Sequence, residues 1–446
     1  MVGCDAPRFA YAHSRLEMPM KVHGSAACYV FFAFCLTVGC GAEADRPNTG
    51  ETGRLGTIES NQASGSSDDS GERDRQRGRG SLLQSSLLRS LSAAEVRDNL
   101  SSAGFDETEV RYGTDLYRVV YATIDPEGQP LTASGLVALP RGCDQDLKLV
   151  SFAHGTEIFK EDAPSTSEDG WVTGPALTYA SAGFAAVAPD YLGLGVGPGT
   201  HPWMHLPTET SASLDLLRAA RSFARLHGVT LGRSVFVTGF SQGSFAALGL
   251  ARALAQRADG RFRLAGFSPI SGPYQWTAWV RAAATGAIAP KAAMIYLAYL
   301  SVAYDRVFGL YEKPSEFFLS PYDAFIEDLF DGTHPGSEVV QRTPGSPAEL
   351  FTPSALARFA DPDPPFARAL GQVDAVCTGW STHAPTQLFA ASGDEEVPFS
   401  NSQHCASELR ASGVHARLVD LGDVDHLGSN RLAAVRVLRF FMEVAE

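Results

Sequence analysis

The sequence predicts an α/β fold with a mainly parallel central sheet flanked by helices. Short apolar runs alternate with helical segments from residue 149 onward, which is the pattern of β-α-β units. Two earlier runs, 115–124 and 131–139, flank the turn sequence DPEG and indicate an antiparallel hairpin. The interval between the runs 263–268 and 386–391 is too long for one crossover, so it predicts an inserted helical cap.

The predicted core comprises residues 86–275 and 383–446, and the cap comprises residues 276–382. The core begins with an amphipathic stretch near residues 87–100, which precedes the hairpin. The strands that follow the hairpin are predicted at 149–153, 184–188, 234–238, 263–268, 386–391 and 416–421.

Composition places the chain among globular proteins. Of its 446 residues, 44% are hydrophobic and 19% are charged, which is the balance of a folded domain. The formal net charge of −14 would repel the phosphates of DNA or RNA. We therefore expect no nucleic-acid partner.

The first 39 residues are predicted to be a signal peptide. Residues 24–39 carry no charge and follow Lys21, which is the layout of a secretory signal. A transmembrane helix needs about 20 apolar residues, so a cleaved signal is favoured over a permanent anchor. The protein is therefore expected to be secreted or held in the cell envelope.

Cys40 is the candidate attachment point for a lipid. The sequence LTVGC at 36–40 resembles the lipobox of bacterial lipoproteins, in which a small residue precedes the acylated cysteine. Residues 40–85 are rich in Gly, Ser, Asp and Arg, so they are predicted to form a flexible tether to the membrane. Ordinary secretion, in which Cys40 has no such role, is the alternative.

Ser241 is the candidate nucleophile. It lies in GFSQG at 239–243, which follows the strand SVFVT and opens a helical run, the context of a nucleophile elbow. Glycine is needed on both sides because a side chain there would crowd the sharp turn. The pattern indicates a serine hydrolase with the α/β-hydrolase fold.

A serine nucleophile needs a base and an acid that orients the base. His426 follows the last predicted strand and precedes the terminal helix, so it is the candidate base. Asp394 follows the strand TQLFAA within GDEEVP and is the candidate acid. Glu395 and Glu396 remain alternatives, because a shift of one or two residues in this turn would put either in its place.

Backbone N–H groups are expected to form an oxyanion hole. Thr156 belongs to HGT at 154–156, after the strand LVSFA, and Gln242 follows the nucleophile. His154 is interpreted as structural. The sequence has no CxxC or HExxH pattern, and its Gly-rich run 193–199 lacks the spacing of a dinucleotide site, so we expect neither a metal nor another cofactor.

Three cysteines, Cys143, Cys377 and Cys405, belong to the predicted folded part. They can form one disulfide at most. In an oxidising compartment the expected pair is Cys377 with Cys405.

Over residues 115–446 the sequence resembles the secretory lipases of bacteria and fungi, which have the α/β-hydrolase fold. The resemblance rests on AHGT, DAPS at 162–165, PDYLGLG at 189–195 followed by His201-Pro202, LLRAAR at 216–221, and GFSQG. The long gap from Ser241 to Asp394 and the short step to His426 also look like that family, in which a cap precedes the acid.

The resemblance implies hydrolysis of a small-molecule or lipid ester through an acyl-enzyme. A peptidase or amidase of the same fold is the alternative, and a non-catalytic surface protein is less favoured because nucleophile, acid and base are all present. Within the cap, the apolar run 292–304 is either a buried helix or a wall of the acyl pocket. If it is a wall, Leu297 or Ala298 should face the cleft. The oligomeric state is not predicted.

Overall fold

The computed structural model describes residues 78–143 and 146–445. A nine-stranded sheet lies at its centre, in the spatial order β1-β2-β3-β5-β4-β6-β7-β8-β9. The predicted signal peptide, Cys40 and most of the tether lie outside the described residues. The strands are β1 Leu82–Leu91, β2 Thr114–Ile124, β3 Pro130–Pro140, β4 Leu147–Ala153, β5 Ala185–Pro189, β6 Leu231–Phe240, β7 Arg263–Ile270, β8 Thr386–Ala390 and β9 Ala416–Asp420.

The sheet is mainly parallel, and this prediction is confirmed. Strand β4 pairs in parallel with β5 and β6, and parallel pairing continues through β7, β8 and β9. Strands β2 and β3 form the predicted antiparallel hairpin, and β3 pairs antiparallel with β5. Because the parallel strands share a direction, the loops that follow them meet beyond the carboxyl ends of the strands.

The chain enters the sheet earlier than the sequence predicted. Strand β1 pairs antiparallel with β2, so residues 82–85 belong to a strand rather than to the tether. The first part of the predicted amphipathic stretch, 87–91, is strand as well. Strand β1 lies at the sheet edge with mostly exposed side chains, so no apolar alternation marked it. A capping box between Ser92 and Glu95 then starts the first helix.

The described ranges contain α-helices on both faces of the sheet and a group of helices between β7 and β8. None of these helices is long and apolar enough to cross a membrane. They are α1 Ala93–Ser102, α2 Gly170–Ser181, α3 Leu206–Leu226, α4 Gln242–Ala255, α5 Trp276–Ala284, α6 Pro290–Phe308, α7 Gly336–Arg342, α8 Pro347–Leu350, α9 Pro353–Ala360, α10 Pro364–Asp374, α11 Ser400–Ala411 and α12 His426–Ala445.

Two apolar layers cover the faces of the sheet. Phe223 of α3 and Phe245 of α4 are fully buried in one layer, and Tyr179 of α2 and Phe441 of α12 in the other. The central strands are therefore buried on both sides, which explains their continuous apolar sequences.

The segment between β7 and β8, here called the insertion, contains helices α5 to α10. Its apolar side chains join the layer formed by α3 and α4. The disulfide expected from the cysteine count is present: Cys377, after α10, is bonded to Cys405 of α11. Cys143 is unpaired and half-buried.

Candidate active site

Ser241 lies in the sharp turn between β6 and α4. Its backbone has a φ of 55° and a ψ of −123°, a conformation that residues other than glycine rarely adopt. A β-carbon on Gly239 would lie 2.2 Å from the carbonyl oxygen of Gly243, and one on Gly243 would lie 1.9 Å from that of Ala153. Both positions therefore require glycine, and the turn presents the serine hydroxyl beyond the carboxyl end of β6.

Ser241, His426 and Asp394 form a continuous hydrogen-bonded chain. Nε2 of His426 lies 2.9 Å from Oγ of Ser241, and Nδ1 lies 2.6 Å from Oδ2 of Asp394. The carboxylate accepts the Nδ1–H, which leaves Nε2 to accept the serine proton. The structure thus brings together the three residues that the sequence singled out at the ends of β6, β8 and β9.

Among the three acidic residues of the turn after β8, Asp394 makes the hydrogen bond to His426. Its second oxygen, Oδ1, accepts the backbone N–H groups of Glu396 at 3.0 Å and Val397 at 2.8 Å. Glu395 is exposed. The carboxylate of Glu396 accepts a hydrogen bond from the hydroxyl of Tyr296, a residue of the insertion, at 2.9 Å. The side chains of Glu395 and Glu396, the two alternatives from the sequence, are therefore directed away from His426.

The surroundings of His426 make it more basic. Burial by itself would lower the pKa of the imidazole. The negative charge and hydrogen bond of Asp394, with the charges of Glu396 and Asp425, outweigh burial and raise the pKa above its ordinary value of 6.5. The residue can therefore accept a proton readily, and it is neutral only above this raised pKa.

Thr156 and Gln242 line the same cavity as Ser241. Gln242 is the first residue of α4, where a backbone N–H has no acceptor within the helix. Thr156 follows β4, which is the neighbour of β6 in the sheet. The structure therefore brings both residues expected in the oxyanion hole to the nucleophile.

A buried polar network behind the serine was not predicted from the sequence. Nε2 of Gln242 donates to Oε1 of Glu209 at 2.8 Å and to Nε2 of His201 at 2.9 Å. Nδ1–H of His201 donates to the carbonyl of Leu192 at 3.0 Å, which leaves Nε2 as an acceptor. Burial lowers the pKa of His201 to about 3, so its ring is neutral. The only sequence signal for this network was the His201-Pro202 pair in the family resemblance.

His154 and the Gly-rich run lie behind the site as well. Nδ1 of His154 lies 2.8 Å from the carbonyl oxygen of Gly155, and burial lowers the pKa of the ring to about 4. A β-carbon on Gly195 would lie 2.2 Å from Oδ2 of Asp190, so the loop can pack against this carboxylate only with glycine there. These residues support the loops rather than face the cavity.

Aromatic side chains of the insertion line the cavity beside Ser241, whose volume is about 20 Å³. Leu297 and Ala298 of α6 are fully buried, and neither lines the cavity; Tyr296 is the α6 residue that does so. Within the described ranges, no group of His, Cys, Asp and Glu could hold a metal ion. The lining residues are Thr156, Trp203, Met204, Ser241, Gln242, Pro273, Trp276, Trp279, Tyr296, Glu396 and Val397.

A larger groove of about 1000 Å³ lies at the amino ends of the strands, opposite the side on which Ser241 lies. Lys148, Arg233 and Arg263 line it. In parallel α/β sheets, ligand sites lie beyond the carboxyl ends of the strands, and Ser241 lies at the carboxyl end of β6. The smaller cavity is therefore the candidate active site.

Comparison with solved structures finds esterases and lipases. A candidate hydrolase from Legionella pneumophila superimposes with a TM-score of 0.75 at 25% identity, over 81% of this chain and 98% of that one. A mutant of the rice cell wall degrading esterase LipA from Xanthomonas oryzae superimposes with 0.73 at 28% identity, over 82% and 99%. Lipase A of Candida antarctica shares the fold at 17% identity, with a TM-score of 0.60 over 83% of each chain.

No family model matches the chain. No curated protein matches it either. The structural neighbours nevertheless confirm the α/β-hydrolase fold and the resemblance to lipases and esterases that the sequence motifs indicated.

Proposed function

We propose that this protein, which has the fold of esterases and lipases, hydrolyses carboxylic esters through an acyl-enzyme on Ser241. The observation that carries the proposal is the hydrogen-bonded chain from Ser241 through His426 to Asp394, beside a cavity. Similarity to an esterase at 28% identity supports an ester as the substrate.

In the first half of the reaction, Oγ of Ser241 attacks the ester carbonyl carbon while Nε2 of His426 takes the hydroxyl proton. Asp394 stabilises the imidazolium that forms. The backbone N–H groups of Thr156 and Gln242 donate to the oxyanion of the tetrahedral intermediate. His426 then protonates the departing alcohol. In the second half, a water molecule gives a proton to His426 and attacks the acyl-enzyme; His426 then returns that proton to Oγ of Ser241 as the carboxylic acid leaves, which restores the serine hydroxyl and the neutral imidazole.

The size of the cavity favours esters of short acyl groups. One water molecule needs about 10–15 Å³ of such space. The cavity of about 20 Å³ therefore has room for one or two groups of that size, such as the methyl of an acetyl group. The indoles of Trp276 and Trp279 line this space, so a longer acyl chain would meet them first.

A panel of substrates tests this function. p-Nitrophenyl acetate, butyrate and octanoate should be compared with amino-acyl p-nitroanilides, each against a Ser241→Ala control. We expect hydrolysis of the esters, fastest for acetate and dependent on Ser241. Faster cleavage of the anilides would instead make the protein an amidase or peptidase, and no turnover of any substrate would support a non-catalytic role.

A further inference from the structure

Trp203 connects the two residues assigned to the oxyanion hole. Its indole N–H lies 3.1 Å from Oγ1 of Thr156 and 2.9 Å from Oε1 of Gln242. The side chain is almost fully buried, in the wall of the cavity. One donor is thus shared between acceptors on two separate elements, the loop after β4 and the first turn of α4.

This contact constrains the hydroxyl of Thr156. A threonine hydroxyl has one hydrogen and two acceptor lone pairs. Because the indole N–H occupies one lone pair of Oγ1, the hydroxyl hydrogen must point away from Trp203. Thr156 lines the cavity that contains Ser241, so an oxyanion formed on the substrate would be an acceptor within that space.

We propose that the side-chain hydroxyl of Thr156 is a third donor to the oxyanion, beside the two backbone N–H groups, and that Trp203 is the positioning residue that orients it. The proposal rests on the proposed function, in which Ser241 forms the tetrahedral intermediate. It makes Thr156 a catalytic residue through its side chain as well as its backbone.

The insertion holds Trp203 in place. The indole stacks on Tyr299 of α6 with a centroid distance of 4.8 Å and an interplanar angle of 7°. The hydroxyl of Tyr299 donates to the carbonyl of Glu157, the residue after Thr156, at 3.2 Å. Helix α6 therefore contacts both Trp203 and the loop that carries Thr156, so the insertion contributes to the geometry of the oxyanion hole in addition to lining the cavity.

The other acceptor, Gln242, is fixed from behind. Its carbonyl oxygen faces Trp203 while its amide nitrogen donates to Glu209 and His201. These three contacts determine the orientation of the side-chain amide. The indole N–H consequently has a rigid partner at 2.9 Å, and this contact fixes the position from which it reaches Thr156.

Three variants test the proposal: Thr156→Val, which keeps the shape but removes the hydroxyl; Thr156→Ser, which restores a hydroxyl; and Trp203→Phe, which keeps a ring for stacking but removes the N–H. Removal of one oxyanion donor lowers kcat about 100-fold or more. We expect Thr156→Val to lower kcat by about that factor with little change in KM, and Thr156→Ser to recover most of the loss. Trp203→Phe should also lower kcat, but less in a Thr156→Val background than in wild type.

Inhibitors separate a catalytic role from a structural one. An alkyl trifluoromethyl ketone forms a serine adduct that carries an oxyanion, whereas the matching alcohol forms none. Affinity for the ketone should fall in Thr156→Val and Trp203→Phe by the same factor as kcat/KM, while affinity for the alcohol should not change. Trp380→Phe is the matched control, because its buried indole N–H donates to the carbonyl of Val376 at 2.9 Å, outside the site; it should change neither affinity.

The proposal would be overturned if Thr156→Val had the same kcat and the same affinity for the ketone as the wild-type protein. It would also be overturned if Thr156→Ser lost as much activity as Thr156→Val. Failure of the proposed function itself would look different. In that case wild-type protein would not react with a p-nitrophenyl phosphonate, and mass spectrometry would find no adduct on Ser241.

Discussion

The amide of Gln242 donates a hydrogen bond to Oε1 of Glu209 over 2.8 Å, directly behind the serine turn. Glu209 is 1% exposed, and its other oxygen, Oε2, has no hydrogen-bond partner among the described residues. Burial raises the pKa of this carboxyl to about 8, although hydrogen bonds from Gln242 and Met204 act in the opposite direction. A neutral carboxylic acid therefore supports the residue next to the nucleophile at pH 7.

Glu209→Gln should remove a pH-dependent loss of stability. The folded protein keeps the carboxyl protonated up to about pH 8, whereas the unfolded chain releases the proton above its ordinary pKa of 4.5. The contribution of Glu209 to wild-type stability should therefore be greatest below that value and fall between pH 5 and pH 8, by at most about 1.4 kcal/mol per pH unit. Thermal unfolding across this range measures the effect. A constant difference in Tm between the two proteins would show that Glu209 is ionised in the folded state.

Ester hydrolysis should fail at acid pH as His426 becomes protonated. Because the pKa of His426 is raised, the midpoint of the acidic limb of kcat/KM should lie above 6.5. Asp394→Asn removes the main charge that raises this pKa, so the midpoint should move to lower pH while kcat falls by about 10⁴-fold. A pH-rate profile of each protein tests both statements. An unchanged midpoint in Asp394→Asn would mean that another group controls the limb.

Opening the aromatic wall should extend the range of acyl chains. Trp276→Ala creates space beside Ser241, so kcat/KM for octanoate should rise relative to acetate, by about fourfold for each methylene that gains apolar contact at about 0.8 kcal/mol. Leu297→Ala is the control, because Leu297 is fully buried and does not line the cavity. A wild-type preference for octanoate, or a changed profile in Leu297→Ala alone, would contradict this account of the acyl site.

Attachment to a membrane through Cys40 remains a prediction from the sequence. If Cys40 is acylated, the protein should enter the detergent phase of a membrane fraction, and Cys40→Ser should be soluble. Mass spectrometry of the mature N-terminus would identify the lipid. Wild-type protein found only in soluble fractions would favour ordinary secretion.

The sequence was informative where the structural signal is local. Ser241, Asp394 and His426 each follow an apolar strand in a short, recognisable turn. Because the strands are parallel, these turns meet at the carboxyl ends of the strands. Strand β1 was missed because an exposed edge strand has no apolar period.

Contacts between distant segments could not be predicted in the same way. Glu209 and Trp203 meet Gln242 across 33 and 39 residues, and no sequence spacing specifies such contacts. Helix α6 is apolar on nearly every side, so its sequence could not show that Tyr296, rather than Leu297 or Ala298, faces the cavity.

Kinetics of Ser241→Ala, measured together with covalent labelling, test the central claim most directly. The variant and wild-type protein should have similar Tm values, while kcat for p-nitrophenyl acetate should fall at least about 1000-fold because the acyl-enzyme cannot form. A fluorophosphonate should label wild-type protein at Ser241 and leave the variant unlabelled. Ester hydrolysis at the wild-type rate by folded Ser241→Ala would contradict the account.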